Sequence, residues 1–452
     1  MTAFEKALKY SKKFHIDECE IVFLRKKITT VRITDSEITE IKQNVKEGFG
    51  GRLINKQKIL AFQTDNESDI EDTIKKSFRT QTYLRPKKFW KSLPFPCRYK
   101  TIEKTWDKKL DWISERETID IAQTIINSTY DKKISEISGS LNIVSEHFEI
   151  SNSNNLEVSN NATYISGIIN AESKIGTVPV SGIGQECCRT LNEFHAENIG
   201  HEAKKMCIET INPQKCQNGA YSIIFDPYSM GELLAFVFAP NFNLKLFAEK
   251  KSCFAKNFQT KISFDGFSLS DDPHMPEGIG SKSFDDEGVV TNTNNIIDEG
   301  IFKNTFTNTF DGFRENKEST GNAIRTTSTM GRSIEAIPDA APHNLRVKEG
   351  DSTLDEMIKD TKCGLIVGRL WYTYAINPIK GDFSCTARSG IKIIEKGEIK
   401  NAVKPFRIIH NLPILLQSVS QISNNSKNVI PWASRPSITP SVRIEDVKIV
   451  SI

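Results

Sequence analysis

No stretch of this 452-residue chain approaches the roughly 20 consecutive apolar residues that cross a bilayer. The densest apolar segment, 233–239, is far too short. The opening fourteen residues have no apolar core of the signal-peptide kind. They read as an amphipathic helix with Phe4, Ala7, Leu8 and Phe14 near one face. A cytoplasmic location without a membrane partner is the expectation. Cys-x-x-Cys is absent, and the nine cysteines are scattered. An odd count without framework spacing points to reduced thiols, and the adjacent Cys187 and Cys188 are poorly placed to bridge. There is no Gly-x-Ser-x-Gly elbow to suggest a serine hydrolase. The seven histidines are sparse, with none between His201 and His274.

What is present is a globular composition, 38% hydrophobic and 26% charged, too long for one ordinary core. The net charge of +3 conceals an asymmetry. Residues 1–110 hold 25 Lys/Arg against 15 Asp/Glu, a net +10, so the remainder carries −7. The basic excess is densest over 75–109, interleaved with Phe89, Trp90, Phe95, Tyr99 and Trp106. Such a stretch can bind nucleic acid by phosphate contact and stacking. No recognition motif accompanies it, so a linker anchored by its aromatics is the preferred reading.

Hydrophobic periodicity divides the chain into three. Residues 1–95 open with the helix, continue as short strands near 18–24, 29–34, 36–42, 47–54 and 58–63, and end with a helix over 66–78 and a Pro-rich linker. Residues 96–216 repeat the helix–strands–helix order, with helices over 114–129 and 198–210 and strands over 134–149 and 155–171. Residues 217–452 start with a strand at 221–225, a helix at 229–239 and a second helical stretch to about 254. They continue as strand-like runs such as 288–293, 300–307, 391–394 and 402–409. The expected fold class is α+β: two small N-terminal α/β domains followed by a large β-rich C-terminal domain.

Several motifs occur in one order. Glu47-Gly48-Phe49-Gly50-Gly51-Arg52 precedes Leu60-Ala61-Phe62, its close glycines suiting a turn, a bulge or a tight backbone approach. Ile199-Gly200-His201-Glu202-Ala203 follows. Then come Phe284-Asp285-Asp286-Glu287-Gly288, Thr320-Gly321-Asn322-Ala323, Asn344 through Gly350-Asp351, and Gly381-Asp382-Phe383-Ser384 with Glu395-Lys396-Gly397-Glu398. Singly these are unspecific. In this order they resemble the TldD/PmbA family over nearly the whole chain.

The resemblance implies a family with two subunit types. Chains of the TldD type carry His-Glu-x-x-x-His on a helix just after a strand, with a further ligand from the C-terminal part. Zinc there needs imidazole or thiolate donors and a Glu to activate water. In this chain the corresponding helix places Ala235 and Pro240 at the ligand positions and Phe236 at the general-base position. None of the three binds zinc or moves a proton. No catalytic or metal-binding residue and no cofactor is therefore expected in this chain.

The resemblance then implies a TldE/PmbA-type partner in a heterodimer with a TldD-type zinc metalloprotease subunit that carries the zinc. Its substrates would be unfolded or small peptides, and this chain would supply chamber wall and dimer interface. A stand-alone peptide-binding homodimer is the alternative. A nucleic-acid-associated protein, as in the family's label of DNA gyrase modulator, stands further off. Asp285, Asp286, Glu287, Asp382 and Ser384 are the candidate chamber or structural positions. Acidic pairs can do acid–base work or bind hard cations, but turn-rich surroundings favour structural use. His195, Glu197, His201 and Glu202 form a decoy, since two His six apart face different sides of a helix.

Overall fold

A computed structural model describes residues 2–325, 331–431 and 435–452. Its first layer is a six-stranded antiparallel sheet in the order β3-β2-β1-β4-β5-β6. Its strands are β1 (Glu18–Thr34), β2 (Glu37–Asn55), β3 (Lys58–Thr64), β4 (Glu136–Asn152), β5 (Glu157–Ser173) and β6 (Val180–Cys188). The segments 1–95 and 96–216 thus contribute three strands each to one sheet, joined by β1 and β4 from Glu20↔Asn152 to Ile33↔Gly139. The strand expectations at 36–42 and 47–54 merge into the single long β2, and β6 was not anticipated.

Helices cover one face. Ala3–Lys13 and Ile70–Arg79 pack on Ile21, Leu53 and Phe62, while Glu115–Thr129 and Ala196–Ile208 pack on Leu141, Ile165 and Ile169. Capping boxes start the first and third of these helices. Thr2 and Ser114 accept from the third helical N–H, and Glu5 and Glu117 reach back. The opposite face, with Val22, Leu24, Phe148 and Ile150, meets Phe284 of the C-terminal region. Alternation along β1 therefore sorts one set of side chains to the helices and the other to the third region.

The C-terminal region holds a nine-stranded sheet. Its path runs Arg369–Asn377, Asp382–Ser389, Phe406–Asn411, Val442–Ser451, β7 (Gly219–Phe225), Cys363–Val367, Lys392–Glu395 and Glu398–Ala402, with Val419–Ile422 paired to Val442–Ser451. A smaller six-stranded sheet includes Leu269–Asp271, Asn294–Asp298 and Leu345–Val347. The helix that follows β7 lies in the core between the two sheets, with Leu233, Leu234 and Phe238 joining Phe225, Leu365, Phe383, Leu269 and Ile296. A helix apolar all round belongs in such a place, and each fully buried large side chain there contributes about 1.5–3 kcal/mol.

Three expectations changed. The second helical stretch stops at Ala248, just before Lys250 takes a φ of 57°. The run 288–293 is a turn with a lone Phe284↔Val290 bridge, because Gly288 sits at φ 81° and the neighbouring backbone groups serve other contacts. The run 300–307 shortens to a strand at Ile301–Phe302. Among the described residues no helix is long and apolar enough to cross a membrane, and no disulfide joins the cysteines.

Candidate functional site

The helix after β7 begins at Pro227 and runs regularly to Leu233. It then opens into one wide turn over Leu234–Phe238, where the Ala239 N–H donates to the Leu234 carbonyl five residues back. Pro240 favours such a turn. It has no N–H to return to Phe236, and its ring crowds that carbonyl. The wide turn matters geometrically. On a regular helix, positions five apart diverge by about 140°; an i→i+5 turn brings position 240 back toward the face of position 235. Ala235 is buried and Phe236 packs against the core. One turn earlier, buried Glu232 accepts the Leu370 N–H at 2.6 Å. Burial, with Glu232 close by, pushes the Cys385 thiol far up, so it stays neutral.

The other sequence motifs meet elsewhere, where the first sheet abuts the C-terminal region. Asp285, Asp286 and Glu287 are all buried there. Asp285 accepts the N–H groups of Glu287, Val289 and Ala323, each at 2.9 Å. Burial and the adjacent Glu287 carboxylate nevertheless raise it to about 8. Asp286 accepts from Lys282 Nζ at 3.0 Å, Arg332 Nε at 2.8 Å and the Arg325 N–H at 2.7 Å. Burial works to raise it, but Lys282 and Arg332 win, and its pKa falls well below the carboxylate range. Glu287 takes Arg52 Nη1 at 2.6 Å and the Thr309 N–H at 2.7 Å.

The network reaches into the first sheet. Glu20 on β1 binds Arg52 on β2 through two parallel bonds of 2.9 and 2.6 Å, and also accepts from Arg325. Glu146 on β4 holds Arg332 at 3.3 Å, and Lys26 donates to the Arg332 carbonyl at 2.6 Å. Bidentate, fully buried pairs of this kind are strong only when every partner is in place. The Gly-x-Gly segment serves the same junction: a Cβ on Gly50 would lie 2.0 Å from the Ile334 carbonyl oxygen. Gly321, at φ 72°, turns the chain so that Asn322 Nδ2 reaches Asp271 at 2.5 Å. Asp271 also accepts the His343 and Asn344 N–H groups, both at 2.8 Å.

Asp382 and Ser384 lie apart from this knot. Asp382 accepts from Asn411 at 2.9 Å, and buried Ser384 accepts from Arg407 at 2.8 Å. The histidine decoy is dispersed. His195 precedes its helix and contacts Glu186 at 3.1 Å, His201 is exposed, and Glu202 pairs with Lys427. Among the described residues no group of three or more His, Cys, Asp and Glu is placed to hold a metal. The aromatics of the basic stretch are partly docked: Trp90 donates to Glu18 at 2.8 Å, Tyr99 to the Gly288 carbonyl at 2.7 Å, and Phe89 meets Phe310 edge-on. Phe95 and Trp106 remain exposed. Glu20, Glu146, Arg325 and Arg332 were not singled out from sequence. The available signal, for Glu20 alone, was a charge at a strand position whose same-face neighbours, Val22 and Leu24, are apolar.

A family model of the PmbA/TldA metallopeptidase C-terminal domain matches residues 218–451, just over half of the chain. The chain belongs to the PmbA/TldD family. Similar relatives include the uncharacterized protein MJ0231 of Methanocaldococcus jannaschii, 23% identical over 84% of this chain and 85% of that protein. Metalloprotease MJ0996 of the same organism is 26% identical over 83% and 82%. The crystal structure of TldE from Thermococcus kodakarensis superposes with a TM-score of 0.89 at 24% identity, covering 99% of this chain and 100% of that one. For this PmbA/TldD chain, the zinc that the family's peptidase branch implies does not fit positions 235, 236 and 240. Methyl, phenyl and pyrrolidine groups offer no lone pair to a metal.

Proposed function

We propose that this chain is the non-catalytic subunit of a zinc metallopeptidase of the TldD/TldE type, pairing with a TldD-type chain that holds the zinc. The observation that carries the reading is the helix after β7. Its wide turn keeps the spacing of a His-Glu-x-x-x-His motif, while Ala235, Phe236 and Pro240 stand at the three chemical positions. In this reading the chain contributes chamber wall and dimer interface in the cytoplasm, and the substrates are unfolded or small peptides. The edge strand Arg369–Asn377 suits strand addition, with Tyr372, Tyr374 and Ile376 exposed along it. Main-chain pairing at such an edge gives affinity without strict sequence preference. Asp382 and Ser384 brace the strand behind that edge. Asp285, Asp286 and Glu287 hold the two parts of the wall together.

The test is purification of the chain alone and co-expressed with a TldD-type chain. Stoichiometric zinc and hydrolysis of unfolded peptides are expected only in the co-expressed complex. Zinc and hydrolysis in this chain alone would overturn the reading.

A further inference from the structure

A cavity of about 440 Å³ opens beside the ion network, between β4 and β5 and the C-terminal region. Its walls are of two kinds. Tyr164, Ile279, Ile324, Pro342, Ile430 and Pro436 give an apolar side. Arg189, Lys282, Arg325, Arg332 and Arg435 give a cationic side, set against Glu146, Asp286 and Asp339. His343 also lines it but stays neutral, since burial and the nearby Lys282 lower its pKa to about 3.

Most of this charge is matched. Lys282 and Arg332 pair with Asp286 and Glu146, Arg325 pairs with Glu20, and Asp339 is the opposing charge at Arg435. Arg189 is different. It is 3% exposed and donates to the carbonyls of Ile279 at 2.6 Å and Thr105 at 2.9 Å. No carboxylate lies within ion-pair distance of it among the described residues. Among the described residues its Nε has no hydrogen-bond partner, nor has Nη2 of Arg332, itself 4% exposed. Burial lowers the Arg189 pKa to about 10. Glu146 acts against that fall and Arg332 adds to it. Two buried guanidinium donors without acceptors, on the wall of one cavity, are energetically incomplete.

We propose that this cavity binds one carboxylate carried on an apolar body, the carboxylate accepting from Arg189 and Arg332 and the body lying on the isoleucine and proline wall. The volume suits a group the size of one or two amino acids. A guanidinium pair recognises a carboxylate by planar, charge-assisted bonds. The chemistry is shared by a free organic acid and by the C-terminal end of a peptide. The inference does not rest on the partner-subunit reading, since it concerns the chain by itself.

Calorimetric titration of the purified chain at pH 7 and low salt, with N-acetyl-leucine, N-acetyl-leucyl-leucine, hexanoate, N-acetyl-leucinamide and inorganic phosphate, tests it. At least one of the three acids is expected to bind about tenfold or more tighter than the amide, the worth of one charge-assisted contact. A tighter N-acetyl-leucyl-leucine supports the site and assigns it to peptide ends; an equal or tighter hexanoate supports it and assigns it to free acids. Arg189→Gln is expected to weaken binding about tenfold. Because Arg189 also supports backbone carbonyls, Ile430→Glu, which places a carboxylate on the wall, is the second variant. It is expected to abolish acid binding while the circular dichroism spectrum is kept. Acid no tighter than amide, phosphate tighter than every acid, or binding undiminished in a folded Ile430→Glu protein would each overturn the proposal.

Discussion

The wide turn at Leu234–Phe238 and the 285–287 junction are both buried, yet they handle charge in opposite ways. Around the helix turn, Leu233, Leu234, Ala235, Val237 and Phe238 are nearly fully enclosed and none is ionisable. At the junction Glu20, Arg52, Asp285, Asp286, Glu287, Arg325 and Arg332 are equally enclosed and all are. A buried charge survives only with its partners present. A segment without partners for a charge is therefore most stably filled with hydrocarbon, whereas a junction between two layers can hold charge because its ion pairs are assembled from both.

The comparison predicts where the molecule breaks first. Arg325→Met should be the most damaging change, about 3–5 kcal/mol, because it takes one of the two buried arginines from Glu20 and frees three backbone carbonyls. Urea denaturation measures it, and a loss below about 1 kcal/mol, as for a surface ion pair, would erase the contrast with the helix. Asp286→Asn should follow at about 2–4 kcal/mol, since Lys282 and Arg332 lose their shared negative charge and an amide NH2 would face the Arg325 N–H. Gly50→Ala should cost about 1–3 kcal/mol, as its methyl group would meet the Ile334 carbonyl and force the layers apart; an unchanged melting temperature would show that the layers yield there.

How much of this was legible in the sequence follows the same divide. The expectation at positions 235, 236 and 240 rests on residue type alone, because an absent lone pair needs no coordinates. The α+β class and most helices followed from apolar periodicity. The junction could not be read that way. Glu20 and Arg325 lie 305 residues apart in the chain, and nothing local marks either as the other's counter-ion. The pairing depends on β1 and β4 placing Glu20 and Glu146 on the face opposite the helices, a consequence of a sheet shared by two segments that periodicity separates. The wide turn at 234–238 was also invisible beforehand, although Pro240 was a local signal that the regular helix would not continue.

Acidity separates the junction carboxylates from one another. Glu20 and Asp286 have folded-state pKa values below their unfolded ones. Each therefore stabilises the fold above about pH 4 and ceases to as pH falls further. Asp285 runs the other way. Raised to about 8, it binds its proton more tightly in the folded state. Its contribution is present below about pH 4 and is lost as pH rises toward 8. Asp285→Asn removes that loss. Its stability deficit relative to the parent chain should shrink as pH rises from 5 to 9 in denaturation curves. A deficit that stays constant over that range would mean that Asp285 is ionised, held so by its three N–H donors.

The smallest effect belongs to the helix. If Pro240 alone opens the wide turn, Pro240→Ala returns an N–H able to bond the Phe236 carbonyl and lets a regular turn form. Intrinsic propensity would favour alanine by about 3 kcal/mol in an isolated helix. Here Phe238, Ala239 and Asn241 are already packed in place, and moving them would disturb a close-packed core. A net gain of about 1 kcal/mol or less is the expected outcome, read from urea midpoints at unchanged m-value. A loss of about 2 kcal/mol or more would instead make the wide turn a shape imposed by the two sheets. It would then be retained because the core is built around it, with no dependence on the proline.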